Sequence, residues 1–435
     1  MTGIASSDEP ENIAAFDKLD RLLRRQLLSR LQALQHGWLC ITDAQGRVEL
    51  GQASTDPTLH VRIKVHDPAF YRALAANGSV GAGEAWMDDQ WDCDNLVGLI
   101  RLLVLNRDLL DGMETGLARL GGLAMKAIHA VRRNTRAGAR RNIAAHYDLG
   151  NDFFRTFLSS DMMYSSALWK DGADTLEMAS TRKLERICQW LDLGPEDRVV
   201  EIGTGWGGFA LYAARHYGCH VTTTTISRQQ YELTSELVEA AGLGGRVTVL
   251  LEDYRDLDGV YDKLVSVEMV EAIGASQLDT YFAQLGRLLK PNGLALVQAI
   301  TIEDQRYRQA LHAVDFIKRH VFPGCFIPSI HALLEAKTRN SDLALIRQQD
   351  FGESYARTLE TWRRRFMSHL EQIRAQGFDH RFIRMWEFYL AYCEGGFRER
   401  SIGVSHLLMA RPGWRHSKPL LYPALPRHKR DTEGF

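Results

Sequence analysis

The residues that first offer chemistry are Gly203, Gly205 and Gly208, set in the stretch 198–208 that reads R-V-V-E-I-G-T-G-W-G-G. Val199, Val200 and Ile202 read as the apolar end of a buried strand, and 209–215 as the helix that follows. A glycine loop between them is too tight for side chains and turns backbone N–H groups toward a ligand at a helix N-terminus. The spacing also suits a dinucleotide, but that ligand asks for an acidic residue about 20 positions on to hold the ribose. The corresponding region is Thr222-Thr-Thr-Thr225 and holds no acid. Glu201 instead stands directly before the loop, and Glu252-Asp253 follow the third strand. This pattern suits an adenosine with a short cationic amino-acid tail, so S-adenosylmethionine fits it better than a nicotinamide cofactor. Glu201 would face the sulfonium and amino group, and the loop amides the carboxylate. A structural carboxylate that caps loop amides would show the same geometry.

Such a loop needs a sheet to hold it. The sequence predicts a helix over 176–192, then strands at 220–225, 246–251, 261–267 and 294–300. Helices at 227–241 and 278–289 and a turn at 290–293 separate them. Alternation of strand and helix over about 120 residues predicts an α/β fold with a doubly wound parallel sheet. The segment 303–411 reads as mostly helical insertions, with one extended patch near 343–351. Upstream, a disordered start (1–15) precedes an amphipathic helix over 16–36, a hairpin over 38–50, a half-buried strand at 59–65, a helix over 67–75 and a loop at 78–83. The chain then divides into a small N-terminal α+β domain (1–105) for docking or dimerisation and a basic helical linker (106–141). A catalytic domain (142–411) and a basic tail (412–435) follow.

At 435 residues the chain is too long for one ordinary core. A net charge of −1 points to no nucleic acid partner. Six cysteines without a C-x-x-C pair argue against a zinc site or a disulfide framework, and for a reducing cytoplasm. The polar, acidic N-terminus is unlike a signal peptide, and no apolar run reaches membrane-spanning length. From Thr115 to Tyr147 there is no acidic residue, while Arg119, Lys126, Arg132, Arg133, Arg136, Arg140 and Arg141 fall in that stretch. Interleaved leucines would let it lie as a solvated linker or hold anionic lipid headgroups, each basic residue worth about 1 kcal/mol. The second case predicts a peripheral enzyme at the inner face of the membrane.

Longer motifs carry a resemblance: A-H-Y-D-L-G-N-D-F at 145–153, M-Y-S-S-A-L-W at 163–169, E-I-G-T-G-W-G-G at 201–208, T-I-S-R-Q-Q at 225–230, D-Y-R-D-L at 253–257 and V-S-V-E-M-V-E at 265–271. Tyr281-Phe282, 290–293, Phe322-Pro323 and 389–398 add to it. On these the chain resembles the cyclopropane fatty acid synthases and their mycolic acid methyltransferase relatives, over roughly 142–411. Its N-terminal region is similar to that of the full-length bacterial synthases. The resemblance implies a class I (Rossmann-like) methyltransferase fold and an unsaturated acyl chain, usually phospholipid-borne, as substrate. It implies a cofactor wall of Tyr164, Ser165, Glu201, Gly203, Thr204, Gly205, Trp206, Gly207, Gly208, Thr225, Ile226, Ser227, Gln230, Asp253, Tyr254 and Arg255, and no metal.

An alkene is a poor nucleophile, so the sulfonium must be held in line with it in a dry pocket. Methyl transfer leaves a carbocation that aromatic faces can stabilise; Tyr147, Trp169 and Tyr355 are candidates, ordinary packing being the other reading of each. A proton must then leave. Loss from the new methyl closes a cyclopropane, loss from a neighbouring carbon gives a methyl- or methylene-branched alkene, and water gives an alcohol. In the family the base is a bicarbonate cradled by cysteine, glutamate, histidine, an isoleucine backbone and tyrosine. Glu271, Ile300 and Tyr355 match that set, whereas Ser166 takes the cysteine position, Gln298 the histidine position, and Ala272 another histidine's. Glu268 stands where the synthases have glycine, and an added carboxylate repels an anion. The resemblance therefore implies either that Glu268 replaces bicarbonate as proton acceptor, positioned by Gln298, Ser166 and Tyr355, or that it points away or pairs with a base. Cys393 reads as a packed thiol. The expected activity is C-methylation at a cis double bond of a membrane phospholipid, with a cyclopropane as the family default. A branched relative, such as a maker of furan fatty acid precursors, is the near alternative. An inactive lipid-binding relative and a small-molecule methyltransferase are the more distant ones. A homodimer or higher homo-oligomer is expected.

Overall fold

The computed structural model of the chain describes residues 16–111 and 149–415. The start at 1–15, the basic stretch 115–147 with Tyr147, and the tail from 416 lie outside the described residues.

The first helix, α1 (Lys18–Leu31), starts where Asp17 and Asp20 cap each other's backbone N–H groups. Leu23, Leu27, Leu28 and Leu31, three or four apart, form its buried face. Strands β1 (Trp38–Asp43) and β2 (Gly46–Gly51) make the hairpin; β3 (His60–Val65) joins β1 in parallel and β4 (Trp91–Cys93) joins β3 antiparallel. Helices α2 (Ala69–Met87) and α3 (Leu96–Leu105) cover this sheet. The loop expected over 78–83 is instead one kinked residue inside α2. Gly78 takes φ 53° and ψ −128°, open to glycine alone, and the helix resumes to bury Val80, Trp86 and Met87.

After α4 (Asn151–Arg155) and α5 (Leu176–Leu191) the sheet alternates with helices. Its elements are β5 (Arg198–Ile202), α6 (Gly208–Tyr217), β6 (His220–Thr224), α7 (Arg228–Ala240), β7 (Val247–Leu250) and β8 (Tyr261–Val267). Then come α8 (Val270–Ile273), α9 (Leu278–Leu288), β9 (Leu289–Ile302), α10 (Ile330–Asn340), β10 (Ala344–Asp350), α11 (Gly352–Ser368), α12 (His380–Arg398) and β11 (Ile402–Ala410). The strand order is β10-β11-β9-β8-β5-β6-β7. The strands from β7 to β9 are parallel, and β11 lies antiparallel between β9 and β10. Order reverses between β5 and β8, which opens a crevice at their carboxyl ends.

Side chains of β5 alternate across the sheet. Val199 packs with Leu184 and Ile187 of α5 and Phe209 of α6; Val200 and Ile202 pack with Leu264 and with Leu285 of α9. Each such burial is worth about 1.5–3 kcal/mol. Two expectations change. The turn at 290–293 loops out within β9, between Leu289 and Leu294, which both pair with β8. The segment 402–410, read as helical, is a strand; Val404 to Ala410 are all buried, so no alternation announced it.

The N-terminal layer shares one apolar cluster with α11 and α12. The Trp86 indole donates to the Arg384 carbonyl (3.1 Å), and the Arg384 guanidinium lies 3.9 Å from that ring centre. A Cβ at Gly395 would come within 2.6 Å of Ile100, so glycine is what lets α12 approach α3. Among the described residues no helix is long and apolar enough to cross a membrane, and no cluster of His, Cys, Asp or Glu could hold a metal. All six cysteines are free thiols.

Candidate active site

A cavity opens over the ends of β5, β6 and β8. The loop after β5 is tied to β6 by Gly203 and Thr204 N–H groups donating to the Thr224 carbonyl (3.1 and 2.9 Å). Gly205 has φ 53°, and a Cβ there would meet nothing within 4 Å, so its open face looks into the cavity. Tyr164, Ser165, Glu201, Gly203, Thr204 and Trp206 line the cavity beside it. Thr225, Ile226, Gln230, Asp253, Tyr254 and Arg255 line its other side. Three residues expected at the cofactor do not line the cavity. Gly207 backs onto Thr234, Gly208 onto Met163 and the Asp161 carbonyl, and Ser227 caps α7 by accepting from Gln230 N–H. They shape the wall from behind. Met162, Met163, Thr224, Val267, Met269 and Ala272 line the cavity without having been singled out for it; Met269 stood inside the motif at 265–271.

Glu201 is buried and accepts from the Thr223 hydroxyl (2.6 Å). Burial pushes its carboxyl up to about 8, against that hydrogen bond and the charge of Lys183. A cationic ligand group would return it to the ionised form. Asp253 holds Arg255 by two contacts (2.8 and 2.5 Å), and the buried Tyr254 hydroxyl has no partner among the described residues. An open glycine face, a buried carboxyl and an unmatched hydroxyl fit an adenosyl ligand with a cationic tail.

Beside this cavity, and reaching into it, stands Glu268. Its Oε1 accepts from the Ser166 N–H (2.9 Å) and the Gln298 amide (2.7 Å), and its Oε2 from the Tyr355 hydroxyl (2.7 Å). Its own N–H donates to the Gln298 carbonyl (2.8 Å). Ser166 contributes backbone only, its hydroxyl being turned to the Ala167 carbonyl. Burial raises the Glu268 carboxyl, and these three donors with Lys183 oppose it. Gln298 is fixed in turn by His406 of β11, whose Nε2 lies 2.8 Å from the amide oxygen. Because the Gln298 N–H group is spent on Glu268, its oxygen must accept, so His406 carries its proton on Nε2. Burial pushes His406 down to about 3, so the ring is neutral.

Glu271, one turn on, accepts from the Ile300 N–H through Oε1, while its buried Oε2 has no partner among the described residues. Burial, and then Glu268, push its carboxyl up to about 8. Repulsion between the two carboxyls favours a proton on one of them, and the three donors favour the charge on Glu268. Tyr355 stacks on Phe397 (4.4 Å), and the Tyr164 hydroxyl meets that of Tyr389 (2.8 Å) in an aromatic wall with Trp362 and Phe154. Trp169 is not part of it: Arg357 covers its ring at 4.1 Å, and its indole donates to Thr358. Cys393 is a partly buried thiol whose pKa burial raises, which keeps it protonated. Lys183, His406 and Tyr389 join the site unannounced. Lys183 left a signal, a lysine on the apolar stripe of its helix, and Tyr389 opened the motif at 389–398 without being assigned to the site.

A glycine loop at a switch point, five parallel strands and an inserted antiparallel seventh define a class I S-adenosylmethionine-dependent methyltransferase. The family model for mycolic acid cyclopropane synthetase matches residues 134–407. The tuberculostearic acid methyltransferase UfaA1 of Mycobacterium tuberculosis is 37% identical over 357 residues, covering 80% of this chain and 83% of the relative. The cyclopropane-fatty-acyl-phospholipid synthase of Escherichia coli is 36% identical over 356 residues, covering 80% and 87%. Among solved structures, the cyclopropane synthase MmaA2 of M. tuberculosis aligns with a TM-score of 0.59 at 28% identity, over 62% of this chain and 98% of that one. The mycolic acid cyclopropane synthase CmaA1, complexed with SAH and CTAB, aligns at 0.58 with the same identity and coverage. The chain belongs to the mycolic acid cyclopropane synthetase family and is an S-adenosylmethionine-dependent methyltransferase of the cyclopropane fatty acid synthase kind.

Proposed function

We propose that this enzyme adds a one-carbon unit at the cis double bond of an unsaturated, phospholipid-borne acyl chain, with Glu268 taking the proton that bicarbonate takes in the synthases it resembles. The observation that carries this reading is the Glu268 carboxylate itself, seated on the three donors Ser166, Gln298 and Tyr355 where an exchangeable anion would otherwise sit. S-adenosylmethionine, when bound, supplies an electrophilic methyl group. The loop at Gly203–Gly205 and Glu201 would hold it, and Tyr164, which lines the cavity with Trp362 packed against it, presents an aromatic surface that excludes water and can stabilise positive charge on the chain. Glu268 then accepts a proton on a carboxylate oxygen while Gln298 and Ser166 keep it aimed.

Bicarbonate fits this site poorly, because a second anion would meet the charge of Glu268 at the same donors. A second reading is deprotonation beside the new branch, which keeps an alkene, in place of ring closure. The similarity to a relative named for tuberculostearic acid supports that second reading. The basic stretch at 115–141 would hold the enzyme to anionic headgroups.

Expression in a host without such enzymes, followed by mass spectrometry of fatty acid esters, tests the reading. A gain of CH₂ with the double bond retained means branching, and the same gain with the double bond lost means a ring. No gain from any unsaturated lipid sinks the proposal, as does full activity of Glu268→Gln; a fall of about 100-fold or more is expected of that variant.

A further inference from the structure

Lys183 lies in the middle of α5, 0% exposed, on the stripe it shares with Leu176, Ala179, Ile187 and Leu191. Its ammonium donates to the Ser165 hydroxyl (2.7 Å) and forms no ion pair among the described residues. A buried charge without a contact partner is costly, and an apolar side chain of similar size would pack there without that cost. Ser165 lines the cofactor cavity, so the ammonium sits one hydroxyl behind its wall. Burial pushes the Lys183 ammonium down to about 8, and three carboxyl groups oppose that through space: Glu268 most, then Asp161 and Glu201. Asp161 is already satisfied by Ser159, Ser180 and the Met163 N–H.

The groups around Glu268 leave Lys183 a distinct part. Tyr355 from α11, Gln298 from β9 and the Ser166 N–H are neutral donors. His406 from β11, behind Gln298, is neutral, and Glu271 would add repulsion if ionised. Arg186, one turn along α5, is turned to Gln349 and Trp190. Among these groups Lys183 is the cation whose charge favours the ionised proton acceptor.

We propose that Lys183 is a positioning residue: a buried counter-charge that acts across the Ser165 wall, without touching the reacting atoms, to keep Glu268 ionised and able to take a proton. The proposal rests on reading Glu268 as the acceptor. Without Lys183, the cation left lining the cavity beside Glu268 is Arg255, which Asp253 already holds, and Glu268 would keep its proton to a higher pH.

The test uses the full chain carrying Lys183→Met, with Lys183→Gln as a second variant. Infrared difference spectra against Glu268→Gln report the titration of the Glu268 carboxylate directly. The expected result is a rise of at least one pH unit in its midpoint, with a melting temperature no lower than that of the unmodified enzyme. With an unsaturated phospholipid vesicle as substrate, the acid limb of kcat should move up by the same amount while KM changes less than threefold. An unmoved Glu268 midpoint in either folded variant overturns the proposal, and so does failure of both variants to fold, since Lys183 would then be structural. If the unmodified enzyme turns over no lipid, the proposed function fails while the infrared titration still decides the role of Lys183.

Discussion

A carboxyl that accepts from Ser166, Gln298 and Tyr355 is held in place by three donors, which separates Glu268 from Glu271 one turn on. Glu201 behaves differently, because its burial is matched by a single hydroxyl. Its folded pKa of about 8 lies above the ordinary 4.5, so between those values the unfolded chain binds fewer protons than the folded one. Stability from this group therefore falls as pH rises from about 4.5 to 8, and a cationic ligand reverses the loss by driving the proton off. Binding of S-adenosylmethionine at pH 7 should release close to one proton, read by calorimetry in buffers of different ionisation enthalpy, and Glu201→Gln should abolish the release. At this scale Glu201 and Glu268 were legible, the first from its place before the glycine loop and the second from the resemblance. His406 was not, because a histidine in an unrecognised strand carries no sign of the glutamine it orients.

The loop after β5 owes its shape to the strand pairing that fixes both its ends, and its function to the face left bare at Gly205. Gly205→Ala should cost about 1 kcal/mol in stability, because φ is 53° there, and should weaken cofactor binding by tenfold or more as its methyl enters the cavity. Isothermal titration and thermal melts separate the two effects. The parallel strands and their helices were legible because most turns between them carry glycine, proline or acidic residues. Strand β11 was hidden by being buried on both faces, and with it the order of the sheet beyond β9. The turn at 290–293 was legible as a turn but not as an interruption that β9 absorbs.

At the scale of the molecule, the N-terminal layer and the catalytic sheet meet through α12. Trp86 and Arg384, 298 positions apart, form the joint, with Asp92 completing the guanidinium's contacts. Arg384→Ala should destabilise the protein by about 1–3 kcal/mol and speed hydrogen exchange in α2 and α12 before it affects β5. Equal exchange everywhere would show that the joint is not where the two layers are tied. Two compositional regions were visible in the sequence, but contacts between residues so distant cannot be read from periodicity. The continuity of the apolar cluster from α1 to α12 therefore emerged only from the fold.

The backbone at Glu268 has φ 49°, a conformation glycine adopts freely and glutamate adopts at some strain. The fold thus keeps the shape of the residue that the resembling synthases carry there. Codons for glycine and glutamate can differ by a single base, so on the function proposed above one mutational step separates a borrowed base from a built-in one. The reverse step is available in the laboratory. Glu268→Gly should leave the fold intact, lose most of its activity in bicarbonate-free buffer and regain part of it as bicarbonate is added.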